Sequence, residues 1–121
     1  MPYDIRSDYS NNILYIILKG FNTDEEAKQG ADKVCEEVKK LKSGFNVIND
    51  ISEFVPASPK AVEEIKRAQE FIKSRNVNRV IRIVNQSYIG SMQMSRASKE
   101  IGYNADTALS IEEAEQILHK K

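Results

Sequence analysis

The stretch Asn49–Pro59, NDISEFVPASP, joins a short apolar segment to a long helical pattern. The apolar segment Phe45–Ile48 before it is predicted to be a strand. Ser58-Pro59 is predicted to begin a helix, because serine is a preferred N-cap and proline a preferred first helical residue. In an open α/β sheet, ligands and partners bind beyond the carboxyl ends of the strands. We therefore expect a functional site at this loop.

The residues before this stretch predict a β-hairpin followed by a helix. Tyr3–Tyr9 alternates polar and apolar residues with a period of two, as an exposed edge strand does, and the apolar run Ile13–Leu18 follows after a turn. Thr23 and Glu26 have the spacing of a capping box. Gly44 is the expected end of the helix that they begin.

The residues after the Ser58 helix predict two more strands and two more helices. They are a strand over Val77–Val84, a helix over Ser91–Ile101, a short strand over Ala105–Leu109 and a last helix after Ser110. The predicted order is ββαβαβαβα. Strands separated by helices pair in parallel, and the hairpin is expected to form an antiparallel margin. The prediction is a single α/β domain over residues 1–121 with a mixed, mostly parallel sheet.

The composition excludes several classes of protein. The 121 residues contain 18 Lys and Arg and 18 Asp and Glu, so there is no basic excess that would indicate binding to nucleic acid. The single cysteine, Cys35, excludes an internal disulfide and fits a reducing compartment. No apolar run approaches the roughly 20 residues of a transmembrane helix, and the first residues lack the pattern of a signal peptide. The expected location is the cytoplasm.

The element order and three segments resemble the STAS family, the sulfate-transporter and anti-sigma-factor-antagonist domains, and more narrowly the SpoIIAA-like proteins. The segments are GFNTDE at Gly20–Glu25, the loop Asn49–Pro59, and SIEEAEQIL at Ser110–Leu118. In the STAS pattern a strand ends in an Asp-aliphatic-Ser triplet, and an Asp-Ser pair opens the next helix. Asp50-Ile51-Ser52 matches the triplet, and Ala57-Ser58 stands where the pair would be.

The resemblance implies one functional residue. In regulatory STAS members a partner kinase phosphorylates the serine at this helix start, and its state controls binding; Ser58 is the matching position. Ala57 and Pro59 depart from the family pattern on either side of it. The other interpretation of Ser58 is an N-cap, which contributes about 1 kcal/mol. SpoIIAA-like proteins are also similar to lipid-carrier folds, which implies that a ligand-binding function is an alternative.

Two loops are predicted to share the carboxyl-terminal end of the sheet, and together they supply the candidate partner or ligand residues. These residues are Asp50, Ser52, Phe54, Val55 and Ser58 from the first loop, and Gln86, Ser87 and Tyr88 from the second. The other interpretation of Asp50 and Ser52, which we favour, is that of turn residues that satisfy loop backbone groups. Phe54 and Val55 either form a contact surface or fold back over the sheet as a lid.

The remaining polar residues do not form a catalytic or metal-binding pattern. Arg79 and Arg82 are placed on opposite faces of one strand. We interpret Arg82 as a side chain whose stem packs under a helix and whose head reaches water, with an anionic ligand as the alternative. His119 is the only histidine, which leaves triads based on histidine without support. We assign no catalytic residue, no metal and no cofactor.

These observations predict a non-enzymatic regulatory or protein-interaction domain whose single candidate for covalent switching is Ser58. The alternative is a carrier or sensor of a small lipophilic or nucleotide-like ligand at the same end of the sheet, held under the Phe54-Val55 loop. Met92, Met94 and Tyr88 either line an apolar pocket beneath the third helix or pack in the core. A homodimer through the edge strand Tyr3–Tyr9 or through the Phe54 loop is left open.

Overall fold

The computed structural model describes residues 2–21, 23–85 and 89–119, and the side chains of all of these except residues 89–92. The described residues form strands and helices in the predicted order ββαβαβαβα. In chain order they are β1 Tyr3–Asp8, β2 Ile13–Leu18, α1 Asp24–Lys40, β3 Asn46–Asp50, α2 Pro59–Ser74, β4 Arg79–Ile83, α3 Ile89–Glu100, β5 Asp106–Ala108 and α4 Ile111–His119.

The strands form one sheet whose spatial order equals the chain order, β1-β2-β3-β4-β5. β1 pairs antiparallel with β2, and every other neighbouring pair is parallel. Leu14, Val47 and Val80 stand side by side on adjacent strands. The predicted antiparallel margin and the mixed, mostly parallel sheet are confirmed.

Alternate residues of each central strand face different layers. Val47 and Val80 point to the face covered by α1, α2 and α3, which we call the three-helix face. Ile48 and Ile81 point to the other face, where Ala114 of α4 packs against them with no exposed surface. Both faces of the central strands are therefore buried, which explains why these strands are continuously apolar in sequence.

Three predicted helix starts are confirmed by their hydrogen bonds. The Glu26 N–H donates to Thr23 Oγ1 at 3.1 Å, and the Thr23 N–H donates to the Glu26 carboxylate at 3.3 Å, which completes a capping box. Ser58 Oγ accepts the N–H of the third residue of α2 at 3.1 Å. Ser110 Oγ likewise accepts the Glu113 N–H at 3.1 Å. These side chains satisfy backbone donors that a helix start leaves unpaired.

The prediction that Gly44 follows directly on the end of α1 was wrong. The helix ends at Lys40, because Leu41 is already extended, with φ −89° and ψ 156°. Gly44 occupies the next turn at φ +83°, and its N–H donates to the Asn76 carbonyl at 2.9 Å. β3 also extends beyond the predicted Phe45–Ile48, because parallel pairing with β2 and β4 continues through Asn49 and Asp50.

Candidate functional site

The carboxyl end of the central sheet brings two helix starts together. β2 and β3 are parallel, with Ile17 beside Asp50, so both strands end at the same edge. α1 follows β2 and α2 follows β3, which places the first turns of the two helices next to each other. We define the rim as the loop 50–58 together with these two helix starts.

Ser58 links the two helix starts. Its Oγ accepts the Ala61 N–H at 3.1 Å as the N-cap of α2 and donates to Asp24 Oδ1 at 2.5 Å in the first turn of α1. The capping interpretation is thus confirmed, and the side chain is also exposed. Ala57, the residue before Ser58 in sequence, has no carboxylate, and the carboxylate that contacts Ser58 belongs to Asp24.

Asp24 is a site residue that sequence reasoning missed. In the sequence Asp24 stands in the segment GFNTDE and is an acid in the first turn of a helix, where it stabilises the helix dipole; neither feature places it beside Ser58. The contact with Ser58 joins residues that are 34 positions apart, and it depends on how α1 and α2 pack.

Asp50 and Ser52 form a local turn. Asp50 Oδ1 accepts the Ser52 N–H at 3.0 Å and the Ser52 Oγ–H at 2.7 Å. This is the geometry of an Asx turn, in which a short carboxylate satisfies the backbone two residues later. The turn interpretation therefore holds, and a role in partner or ligand binding stays a prediction.

Phe54 and Val55 have different environments. Phe54 is 1% exposed and lies edge-on to Phe21, with ring centroids 6.4 Å apart. Val55 is 52% exposed, and its N–H donates to the Lys19 carbonyl at 3.2 Å. The loop is thus bonded to the end of β2, which turns Phe54 inward as a lid. Phe54 is therefore buried and does not belong to an exposed contact surface, whereas Val55 is exposed and its role in partner or ligand binding stays a prediction.

Gln93 of α3 holds the loop through a two-way amide contact. Its Oε1 accepts the Ala57 N–H at 2.8 Å, and its Nε2 donates to the Ala57 carbonyl at 3.0 Å. Sequence reasoning missed this residue, because a glutamine on an amphipathic helix gives no sign that it bonds backbone 36 positions away.

Part of the predicted site lies outside the described residues. This applies to Gln86, Ser87 and Tyr88, and also to the side chain of Met92. Their convergence with the loop 50–58 stays a prediction. Met94 of α3, in contrast, is described and is buried against the three-helix face.

A cavity of about 40 Å³ lies between the three-helix face and the helices α1 and α2. Its walls are mainly apolar and include Leu18, Ala31, Val34 and Ile65. Phe21, which packs against the lid residue Phe54, is also in the wall. A site needs roughly 10–15 Å³ to hold one water molecule, so this space fits a few non-hydrogen atoms.

Polar groups in and behind this wall are incompletely paired. Asn49 lines the cavity and is 5% exposed, and its Oδ1 has no hydrogen-bond partner among the described residues. The same is true of the Nε–H of Arg82, which lies beside Asn49 on the next strand. Unpaired buried polar groups are rare and require a physical explanation.

The prediction that the head of Arg82 reaches water was wrong. Arg82 is 4% exposed, and its guanidinium donates to Ser98 Oγ at 2.6 Å, because α3 covers this part of β4. Burial lowers the pKa of Arg82 below its ordinary value. Arg79 lies on the opposite face, as predicted, and donates to Asp106 at 2.8 Å.

The described part of the chain holds no cluster of three or more His, Cys, Asp or Glu residues arranged for a metal ion. Burial raises the pKa of the Cys35 thiol, which disfavours the reactive thiolate. Within residues 2–21, 23–85 and 89–119, no helix has the length and apolar character needed to span a bilayer.

Comparison with known proteins gives a match at the level of structure. No family model and no curated protein matches the chain. The crystal structure of a candidate anti-sigma factor antagonist from Thermotoga maritima matches 98% of this chain and 95% of its own, with a TM-score of 0.66 and 13% sequence identity. The fold is the STAS/SpoIIAA-like fold. The predicted fold class is therefore confirmed, and at this identity the likeness concerns the fold alone.

Proposed function

We propose that this STAS-like chain is a non-enzymatic regulatory module that binds a protein partner through the rim. The observation that supports it is the exposed Ser58, held between the start of α2 and the carboxylate of Asp24. The protein of similar fold is a candidate antagonist of an anti-sigma factor, and by analogy the partner here is also a protein. The proposal includes a single domain over residues 1–121 and a cytoplasmic location.

Phosphorylation of Ser58 is the proposed switch. A phosphate there carries up to about two negative charges, and the start of α2 favours each by about 0.3–1 kcal/mol. The carboxylate of Asp24 opposes it by about 1 kcal/mol per unit charge at about 4 Å in water. Phosphorylation also replaces the hydroxyl proton that Ser58 donates to Asp24, so this hydrogen bond is lost. The Asp24 carboxylate then moves away from the phosphate, while the start of α2 still favours the added charge. The modification then changes the charge and shape of the rim without unfolding the protein.

A photo-crosslinking amino acid at Val55 tests the rim as a partner surface. We expect a specific covalent adduct with one protein in cells, and loss of that adduct when Ser58→Asp supplies a negative charge. The matched control replaces Tyr9, which is 56% exposed and lies at the opposite end of the sheet. The same adduct from the Tyr9 position, or no adduct from Val55, would contradict the proposal. If mass spectra of cells show only the unmodified Ser58 peptide under all growth conditions, phosphorylation of Ser58 is contradicted.

The cavity beneath Phe21 supports the alternative function, a carrier or sensor of a small lipophilic or nucleotide-like ligand. Native mass spectrometry of freshly purified protein separates this alternative from the module. A retained small molecule supports the carrier, and the bare mass of the chain together with the Val55 adduct supports the module.

A further inference from the structure

The strand β1 forms an edge of the sheet whose backbone can accept another strand. Among the described strands it has one neighbour, β2. The Lys19 N–H donates to the Pro2 carbonyl at 2.9 Å, so in this antiparallel ladder Pro2 and every second residue after it direct their backbone groups toward β2. The backbone N–H and C=O groups of Tyr3, Ile5 and Ser7 therefore point away from the sheet. Such a row of groups is a template for pairing with another chain.

Asp4 and Arg6 bring opposite charges to this edge. Both side chains are exposed, and they lie on the sheet face opposite to Ile5, which packs into the three-helix face. Within the described residues neither takes part in a salt bridge. The Arg6 guanidinium lies 5.5 Å from the centroid of the Tyr15 ring. A guanidinium contacts a ring with its face and a carboxylate with its edge, so Arg6 can bind an acid and keep the ring contact.

The order of charges along β1 selects one register for pairing with a second copy of the chain. With a two-fold axis at Ile5, Asp4 of each copy lies opposite Arg6 of the other, at positions where Cα atoms are about 4.5 Å apart and side chains are closest. An axis at Asp4 or at Arg6 would instead set two like charges opposite each other. An axis at Ser7 sets Arg6 opposite Asp8, but it pairs only the end of the strand, because β1 ends at Asp8.

We propose that two copies of this chain pair antiparallel along Tyr3–Ser7, with the two-fold axis at Ile5, and so form one continuous sheet. Charges on an edge strand commonly prevent such pairing, but this pair of opposite charges repels in the shifted registers and attracts in the proposed one. Because the paired strands run in opposite directions, the rims of the two copies lie at opposite ends of the dimer. The dimer is independent of the function of the rim, and it would present the rim twice.

Sedimentation equilibrium of the full chain tests the dimer with two charge reversals. The paired segment is small for a protein interface, so we expect a dissociation constant of about 1–100 µM and measure to about 1 mM. Arg6→Glu sets acids opposite acids, and Asp4→Arg sets arginines opposite arginines. Each variant should raise the dissociation constant by about tenfold or more. An equimolar mixture of the two variants should dimerise again, because every opposed pair then has opposite charges, and this recovery also shows that both variants are folded.

Two control variants separate the register from a general effect of charge. Glu70→Arg reverses an exposed acid on α2 and should dimerise as the unaltered protein does. Asp8→Asn should also leave the dimer unchanged, because Asp8 meets Arg6 only when the axis lies at Ser7. Asparagine keeps an acceptor for the Asn11 N–H, which Asp8 Oδ1 accepts at 3.1 Å.

Amide hydrogen exchange followed by NMR locates the paired strand. The amides of Tyr3, Ile5 and Ser7 should exchange more slowly as the protein concentration rises, because their N–H groups then donate to the second copy. In Arg6→Glu alone their exchange should not depend on concentration over the same range.

Three results would overturn the inference. A monomer at every concentration would exclude the dimer, and a Val55 adduct from that monomer would leave the proposed function of the rim intact. A dimer that survives both charge reversals, or a mixture that does not recover, would exclude the register at Ile5. Protection of the β1 amides only after a different protein is added would assign the edge to that protein and reject pairing between copies.

Discussion

At the residue scale, Gly20 and Gly30 are expected to respond in opposite ways to the same substitution. Gly20 has φ +142°, and a Cβ there would lie 2.4 Å from Val55 Cγ2. Gly30 lies inside α1, where a Cβ would meet the Phe21 ring at 3.4 Å and the Tyr3 ring at 3.5 Å, which are ordinary contact distances. The backbone strain and the close contact are both at Gly20.

We predict that Gly20→Ala lowers the free energy of unfolding by about 1–3 kcal/mol, because alanine does not adopt this φ without strain. Adding Val55→Ala removes the contact with Cγ2 but not the strain, so it should restore only part of the loss. Urea denaturation of both variants measures this, and full recovery in the double variant would show that the backbone is not strained.

Gly30→Ala should instead raise the free energy of unfolding by about 1 kcal/mol, the difference between the two residues in a helix interior. The same urea measurement applies. A loss of stability would mean that Phe21 and Tyr3 cannot accommodate the added methyl group.

Residues with a local role could be predicted from the sequence, and residues with a distant partner could not. Thr23, Ser58 and Ser110 bond backbone groups within three residues, and all three caps were predicted. The exposure of Arg82 was predicted wrongly, because it depends on whether α3 covers β4. The alternation of residues along a strand carries no information about which helix covers it. The contact between Ser58 and Asp24 was missed for the same reason.

At the scale of elements, Gln93 connects α3 to the loop that leads into α2. We predict that Gln93→Ala increases the rate of hydrogen exchange at the Ala57 amide by roughly tenfold, because that N–H loses its partner, which costs about 1–3 kcal/mol when the group is buried. Amide exchange followed by NMR measures it. Gln116→Ala, at an exposed glutamine of α4, should leave this amide unchanged. Equal rates of exchange at the Ala57 amide in both variants would show that the Gln93 side chain does not hold the loop.

Periodicity predicted which segments are helices and which are strands, but their ends depend on neighbours. β3 continues through the polar residues Asn49 and Asp50, because the strands on both sides supply backbone partners. α1 ends before its glycine, because Leu41 turns into the core as a partly buried residue. Tertiary contacts decided both boundaries.

At the scale of the whole molecule, Glu37 makes stability depend on pH. It is 6% exposed on α1 and accepts hydrogen bonds from Ser7 Oγ of β1 at 3.0 Å and from Lys40 at 3.1 Å. Burial by itself raises the pKa of Glu37, but the hydrogen bonds from Lys40 and Ser7 outweigh it and hold the pKa below its ordinary value.

Because the pKa of Glu37 is lowered in the folded state, its ionised form stabilises the protein at pH values above its unfolded pKa of about 4.3. This contribution is lost as the pH falls through the pKa of Glu37 in the folded protein. We predict that Glu37→Gln destabilises the protein at pH 7 and loses less stability than the unaltered protein on acidification to about pH 3. Urea midpoints at the two pH values measure this. Glu36→Gln, at the exposed neighbour, keeps the contacts of Glu37 and is the control. Parallel losses in all three proteins would contradict the role of Glu37.

The sequence predicted the layers of the whole molecule better than its sites. The apolar runs indicated the strands, and the helix between each pair of parallel strands indicated crossovers. The cavity behind Asn49 was not predicted, because it arises from the small residues Ala27, Gly30 and Ala31 packing over the sheet. The space that these small side chains leave can be identified only once the helix is packed on the sheet.

The agreement between strand order and chain order has a consequence for biosynthesis. Each parallel strand joins the edge left by the preceding one, so the nascent chain can extend its sheet stepwise as it leaves the ribosome. The layer formed by α4 is different, because this helix follows all five strands along the chain. A chain stalled at Ser110 would present Ile48 and Ile81 to the surroundings, and such an arrested intermediate should bind chaperones until the final helix arrives.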